Sequence, residues 1–211
     1  MLDKPAGLAV HAGPNSPDHL ELYLGALSFG WNDPPRLAHR LDRDTSGCLI
    51  LGRHPKALKR LGRMFMQGAI AKTYWAVVHG HPVAQGGRLD LAIHKITGKG
   101  GWRVIADPAG QPAITDWSVR GHSDGLTWVE CHPRTGRTHQ IRVHMKALGC
   151  PVRGDAYYGP DPAPQMPLHL HSRAVSIPPL SPGKPPIHVE APPPAHMRDA
   201  LAACGWSEAG E

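Results

Sequence analysis

The sequence predicts an α+β fold, a mixed and largely antiparallel central sheet flanked by helices. Strand-like apolar runs outnumber helical ones, several are joined by short turns, and a few segments switch to helical spacing of apolar residues. A chain of 211 residues is long enough for one large core, so a single domain over 1–211 is expected.

Each element follows from its local pattern. LAVHA at 8–12 reads as a short strand. Ser16-Pro17 offers a cap and a first-turn proline for a helix carrying Leu20, Tyr23, Leu24 and Leu27. CLILGR at 48–53 is apolar enough for a central strand. In 55–67, Ala57, Leu58, Leu61, Met64 and Phe65 share one side of a helix, and Lys56, Lys59, Arg60 and Arg63 the other. That basic stripe is either a solvated face or an RNA-facing one.

KTYWAVVHG at 72–80 and RLDLAIHK at 88–95 read as strands. GWRVIAD and PAITDWSVRG read as a hairpin around PAGQ at 108–111, and GLTWVECHP at 125–133 adds a strand. THQIRVHMKAL at 138–148 has Ile141, Met145 and Leu148 at helical spacing, with Thr138 as cap and Gly149 as stop. LHLHSRAVSI at 168–177 and PIHVEA at 186–191 close with strands, AHMRDALAAC at 195–204 with a helix. The Pro-rich stretches at 159–167 and 191–195 are loops.

Composition narrows the chemistry. With 23 Lys and Arg against 17 Asp and Glu, the net charge of +6 favours a polyanionic partner such as nucleic acid. No apolar run reaches membrane-spanning length and the N-terminus lacks a signal-peptide layout, so a cytoplasmic protein without a membrane partner is expected. Four scattered cysteines, with no C-x-x-C pair, argue for reduced, mostly buried thiols.

Several chemistries find no motif. TGKGGWR at 97–103 lacks both P-loop and dinucleotide-fold spacing, so no nucleotide cofactor is expected. HLH at 169–171 puts two imidazoles on one face of a strand, but no third metal ligand is signalled, and His139 and His144 diverge on a helix. No G-x-S-x-G elbow is present. No metal and no other cofactor is expected.

Two concentrated stretches remain. HRLDRDTSG at 39–47 clusters basic residues around Asp42, and PRTGRTHQIRVHMKALGCPVRGDAYYG at 133–159 interleaves Arg134, Arg137, Arg142, Lys146 and Arg153 with glycines, Tyr157 and Tyr158. Such a mixture suits phosphate contact with base stacking. An arginine near a helix start, beside a carboxylate brought from elsewhere, can hold that carboxylate ionised in a dry pocket.

These stretches resemble the RluA-type family of RNA pseudouridine synthases. DKPAGLAVH at 3–11, HRLDRDTSG at 39–47, KTYWAVVHG at 72–80 and TGRTHQIRVHMKALGCPVRGDAYYG at 135–159 match its motifs in order, and LHLHSRAVSI also fits. The resemblance implies an isomerase that converts uridine in RNA to pseudouridine without a cofactor. By motif position Asp42 is similar to the essential catalytic aspartate, Tyr74 to the tyrosine that packs on uracil, and Arg142 to the arginine that pairs with the aspartate. Arg40 is similar to the arginine that fills the space of the flipped nucleotide, and Thr45, Lys72, Arg137, His139 and Gln140 are expected to bind substrate.

An ionised carboxylate serves this chemistry as nucleophile at C1′ or as base for the 2′ proton, and the residues do not choose between them. Stacked RNA hides the target atoms, so the nucleotide must be extruded, and Tyr74 and Arg40 suit the stacking and plugging that extrusion needs. The expected partner is a ribosomal or transfer RNA stem-loop, bound by a monomer. Relatives usually carry a strand ahead of DKPAG and many carry a small S4 RNA-binding domain; neither is expected in these residues. The rival readings are a noncatalytic RNA-binding module on the same fold and a histidine-based metal hydrolase.

Overall fold

The computed structural model describes residues 1–13, 16–98, 101–160 and 165–208. Along the chain run β1 (Leu2–Lys4), a 3-10 helix (Leu20–Leu27), β2 (Arg36–Leu37), β3 (Ser46–Leu49), β4 (Leu51–Gly52), α1 (Pro55–Met66) and β5 (Ala71–His79). There follow β6 (Gly86–Asp90), β7 (Ile93–Gly98), β8 (Gly101–Ala106), β9 (Ile114–Ser123), β10 (Leu126–Pro133) and α2 (Gln140–Ala147). The chain closes with β11 (Leu170–Ile177), β12 (Ile187–Glu190) and α3 (Ala195–Ala203). It divides into two compact units, Met1–Lys72 with Ser172–Pro192, and Thr73–His171 with Pro193–Glu211.

In the first unit β3 lies between β1 and β11, and β12 pairs antiparallel with β11. Every residue of β3 is buried, as a strand flanked by β1 and β11 allows. Beneath lies a core of Cys48, Ile50, Leu61, Met64, Ile70, Val175, Ile177 and Ala191. α1 supplies Leu61 and Met64 to it and leaves Lys56, Lys59, Arg60 and Arg63 exposed, the amphipathic split read from the sequence. Pro55 opens that helix, and His54 caps it by accepting a hydrogen bond from the Ala57 amide.

In the second unit the strand order is β5, β10, β9, β6, all antiparallel neighbours. α3 packs Met197, Ala200 and Leu201 onto Trp75, Val77 and Trp128, whose two indoles meet edge to face at 4.8 Å. A separate cluster of Ile93, Val104, Ala113, Val143 and Tyr158 joins the β7–β8 ribbon to α2. The α+β class with a mixed, mostly antiparallel sheet is therefore what forms. The four cysteines are free and buried.

Several local expectations are corrected. LAVHA is no strand: Ala9 makes one isolated bridge, and the N-terminal strand is β1, whose Lys4 stands opposite Gly47. Ser16-Pro17 caps nothing; the following helix is 3-10, starts at Leu20 and leaves Tyr23 exposed, because only Leu20 and Leu24 find a core. RLDLAIHK is split between β6 and β7. PAGQ is a turn, held by the Asp107 side chain accepting from the Ala109 amide, but it does not join a hairpin: β8 pairs with β7, while β9 pairs with β6 and β10. Thr138 is not the helix cap.

His139 precedes α2 in the left-handed conformation, at φ 56°, without a side-chain cap. Gly149 ends that helix as expected, at φ +82°, with its amide on the Lys146 carbonyl and the Cys150 amide on that of Met145. The tip of the β7–β8 ribbon and residues 161–164 of the Pro-rich loop at 159–167 lie outside the described residues.

Candidate active site

The Asp42 loop belongs to the first unit and is built around a lysine. Lys4 is only 1% exposed, and its ammonium donates three hydrogen bonds, to the carbonyls of Pro5 (2.7 Å), Leu8 (2.9 Å) and Arg43 (2.9 Å). The Gly7 amide also donates to the Arg43 carbonyl. The DKPAG turn is thereby tied to the residue after Asp42. Burial pulls the Lys4 ammonium down to about 8, against the opposing pull of Asp44 and then Asp42.

Within the loop the Thr45 amide donates to the Asp42 carbonyl, and Arg43 Nε meets Asp44 Oδ1 at 3.1 Å on the surface. Arg40 is exposed. The Thr45 hydroxyl is buried and has no partner among the described residues. His39 lies behind: its Nε2 accepts from the Ile50 amide at 2.9 Å, and its ring meets Phe65 at 4.8 Å. Burial, then the Lys72 ammonium, push His39 down to about 4, so near pH 7 it is the neutral acceptor its hydrogen bond requires. Burial also lowers Lys72 to about 8.

Tyr74, Arg137, His139, Gln140 and Arg142 belong to the second unit. Tyr74 is buried on β5 opposite Cys131. Arg142 projects from α2 into a bidentate pair with Asp155, Nε to Oδ2 and Nη2 to Oδ1, both at 2.7 Å, with both side chains buried. Asp155 Oδ1 also accepts from the amides of Tyr157 and Tyr158. The carboxylate thus fixes one edge of the guanidinium and the turn that carries both tyrosines. Gly154 makes this possible: it sits at φ +76°, with the Pro167 carbonyl where a Cβ would be.

The start of α2 is a hydrogen-bonded frame. The Gln140 amide oxygen accepts from the Thr135 hydroxyl and the Arg137 amide, and its nitrogen donates to the Ile114 carbonyl and the Thr115 hydroxyl. Since Leu91 O only accepts, His144 Nε2 donates to it and Nδ1 accepts from Thr115, a neutral tautomer assigned from the network. Burial lowers His144 consistently. Arg137 is exposed, its Nε donating to the Pro112 carbonyl.

His139 Nδ1 meets the Tyr158 hydroxyl at 2.8 Å, and that oxygen also accepts from the Val104 amide. The HLH histidines do not gather a metal site. His169 donates to the Pro167 carbonyl and packs on His196, and the described residues hold no group of three or more His, Cys, Asp or Glu side chains placed for an ion.

Residues 1–147 match the family model described as RNA pseudouridylate synthase. The chain belongs to this family. It is 44% identical over 204 residues to an uncharacterised RNA pseudouridine synthase of Zymomonas mobilis, covering 94% of this chain and 91% of that protein. It is 33% identical to the ribosomal large subunit pseudouridine synthase C of Rickettsia felis, over 96% of this chain and 67% of that one. The solved human RNA pseudouridylate synthase domain containing 4 superposes with a TM-score of 0.78 at 26% identity, covering 96% of this chain and 88% of its own.

The enzyme is thus an RNA-modifying isomerase. Lys4 in the first unit and Asp155 in the second are charged residues that the sequence reading did not single out. Both lie inside quoted motifs, DKPAG and RGDAYYG, and a charged residue amid glycine, proline and aromatic neighbours is the signal that singles them out.

Proposed function

We propose that this enzyme isomerises a particular uridine in a structured ribosomal or transfer RNA, with Asp42 as the catalytic carboxylate and Tyr74 and Arg142 as its partners in the reaction. The observation that carries this is the Asp42 loop itself: a family-matched HRLDRDTSG segment whose backbone is pinned at Arg43 by a buried lysine. Pinning of that kind is wasted on an ordinary surface turn and suits a carboxylate that must be aimed. The name of the Rickettsia felis relative favours ribosomal RNA as the substrate.

The reaction moves no electrons to a cofactor. The N1–C1′ bond breaks, the uracil turns, C5 bonds to C1′, and the proton on C5 is exchanged for one on N1. Asp42 either attacks C1′ or removes the 2′ proton to open the first step. Tyr74 packs on the uracil ring while it turns. Arg142, its guanidinium plane fixed by Asp155, serves as the cationic partner of the reaction.

Arg40 fills the space left by the extruded nucleotide, and its exposure suits that task. The Thr45 hydroxyl, without a partner among the described residues, offers a hydrogen bond to the sugar or base, and Lys72 and Arg137 offer cations for phosphate. Gln140, with four side-chain bonds to protein, acts from behind by holding the Arg137 backbone. The remaining features are a single catalytic domain over 1–211, a monomer, no cofactor, and a cytoplasmic location. Among the described residues no helix is long and apolar enough to cross a membrane.

The test is pseudouridine mapping in total RNA from cells with wild-type or Asp42→Asn enzyme, beside purified-enzyme assays on the RNA so identified. Asp42→Asn is expected to bind that RNA and form no detectable pseudouridine, while Asp44→Asn loses far less. Substantial turnover by Asp42→Asn would remove the assignment.

A further inference from the structure

Part of the second unit is not used by the chemistry above: the face of the β7–β8 ribbon that looks onto the start of α2. Trp102 is 40% exposed and Tyr157 is 52% exposed, and both lean on His139, with ring centroids 5.1 Å and 5.7 Å away. Tyr157 carries the Arg142 guanidinium 5.3 Å from its centroid. A row Trp102, His139, Tyr157 therefore ends at the arginine of the catalytic set. At the other end the exposed Lys95 holds its ammonium 4.5 Å from the centre of the Trp102 ring.

This arrangement is built, not incidental. His139 holds its ring between the two aromatics from a left-handed backbone that non-glycine residues rarely adopt, and the Tyr158 hydroxyl fixes that ring by hydrogen bond. Val104, on the same face of the ribbon two residues from Trp102, is buried beside Tyr158 and Val143, so the ribbon is anchored while its indole stays open. A single exposed aromatic needs no explanation. Two on one fixed histidine, with a lysine ammonium over the outer one, do.

We propose that Trp102 is a stacking subsite for a nucleobase of the RNA strand that flanks the target uridine. This rests on the RNA-modifying reading above and extends it. On binding, the base takes the ring face that Lys95 covers in the free protein, and the ammonium swings on its four-carbon stem to that nucleotide's phosphate. Base stacking on an indole is the stronger contact of the two and is tolerant of base identity, and the displaced cation gains a phosphate. The basic balance of the chain suits a polyanionic occupant.

The probe is a uridine decamer, titrated at low salt into the full-length protein and followed by tryptophan fluorescence and by filter retention. A second decamer of the same length and charge carries abasic sugars. Trp102→Ala is expected to weaken the uridine decamer about tenfold, within the range that loss of one stacked base gives. Trp102→Phe, which keeps a ring, retains most of the affinity and controls for folding, and the abasic decamer binds wild type and Trp102→Ala alike.

Equal binding of the uridine decamer by wild type and Trp102→Ala overturns the subsite. So does an equal loss on both decamers, which would make Trp102 a structural residue. Because binding is read without turnover, its outcome is separate from that of the Asp42 assay: a wild type that binds through Trp102 yet modifies no uridine would leave the subsite standing and remove the proposed chemistry.

Discussion

Lys4, tied to the Asp42 loop, and Arg142, on α2, are both buried cations, and they are satisfied in opposite ways. Lys4, in the first unit, gives its three protons to three backbone carbonyls and has only the longer-range pull of Asp44 and Asp42 to keep it charged. Arg142, in the second, is clamped by the Asp155 carboxylate through two bonds of 2.7 Å. Carbonyl dipoles fix position but only partly offset the cost of burying a charge, and so Lys4 falls to about 8. A carboxylate neutralises the charge and fixes the plane of the guanidinium together, which a lysine at position 142 would not reproduce. One region is held by shape, the other by charge.

The largest expected effect breaks the charged side of this contrast. Arg142→Met leaves Asp155 buried without its counterion and is expected to cost about 3 to 5 kcal/mol in urea unfolding, besides abolishing turnover. Asp155→Leu alone should cost a similar amount, for the converse reason. The double variant is the informative one: it should recover much of the stability of either single variant and none of the activity. Recovered turnover would reduce Arg142 to a structural residue.

Next come the neutral histidines that support each region, His39 in the first unit and His169 in the second, both pushed down to about 4 by burial. An unfolded histidine titrates near 6.5, so the unfolded chain binds more protons as pH falls, and stability is lost from pH 6.5 down to 4. His39→Gln keeps an acceptor for the Ile50 amide and removes the titration. It should save about 1 to 2 kcal/mol of the loss between pH 6.5 and 5, measured as the pH dependence of the urea midpoint. An unchanged acid limb would mean that His39 is protonated in the folded protein.

The shape-held lysine acts with the same sign at higher pH. The folded chain releases the Lys4 proton near 8 and the unfolded chain near 10.5, so the penalty for burying the ammonium is present in full below pH 8 and relieved above it. Wild type should gain about 1 kcal/mol over Lys4→Met between pH 7 and 9. Lys72 shifts the same way, and the Cys48 and Cys131 thiols, pushed up by burial to about 11 and 12, oppose it as their unfolded counterparts ionise near 9; all three are common to both proteins and cancel in that difference. A flat difference would show that the lysine keeps its proton through that range.

The smallest effect asks whether the first unit also meets phosphate. Replacing Lys59 and Arg60 on the exposed stripe of α1 should flatten the slope of log affinity against log salt by roughly one to two units if both touch RNA. No change in slope would make the stripe a solvated face and leave Arg137 and Lys95, in the second unit, as the principal phosphate contacts.

Much of this was legible in the residues. Period and composition are local properties, so α1, β5, β10 and α3 could be read from apolar spacing, and the Gly149 stop from the need for positive φ. The misreadings share one cause, because strand partners are chosen by long-range pairing. GWRVIAD looks like one half of a hairpin with PAITDWSVRG, yet its partner is the strand before it. Thr138 looks like a cap by residue type, but the Tyr158 hydroxyl and the aromatic packing around His139 set the backbone there.

What the sequence by itself determined is the family, the class of reaction and the list of chemically capable residues, because motif order, charge and side-chain type are written in one dimension. Only the tertiary structure decided which carboxylate clamps Arg142, which cation is buried behind the Asp42 loop, and that Trp102 stands open beside His139. Those facts depend on distances between residues far apart in the chain. A few ångströms separate a paired charge from a solvated one, and no local pattern carries that information.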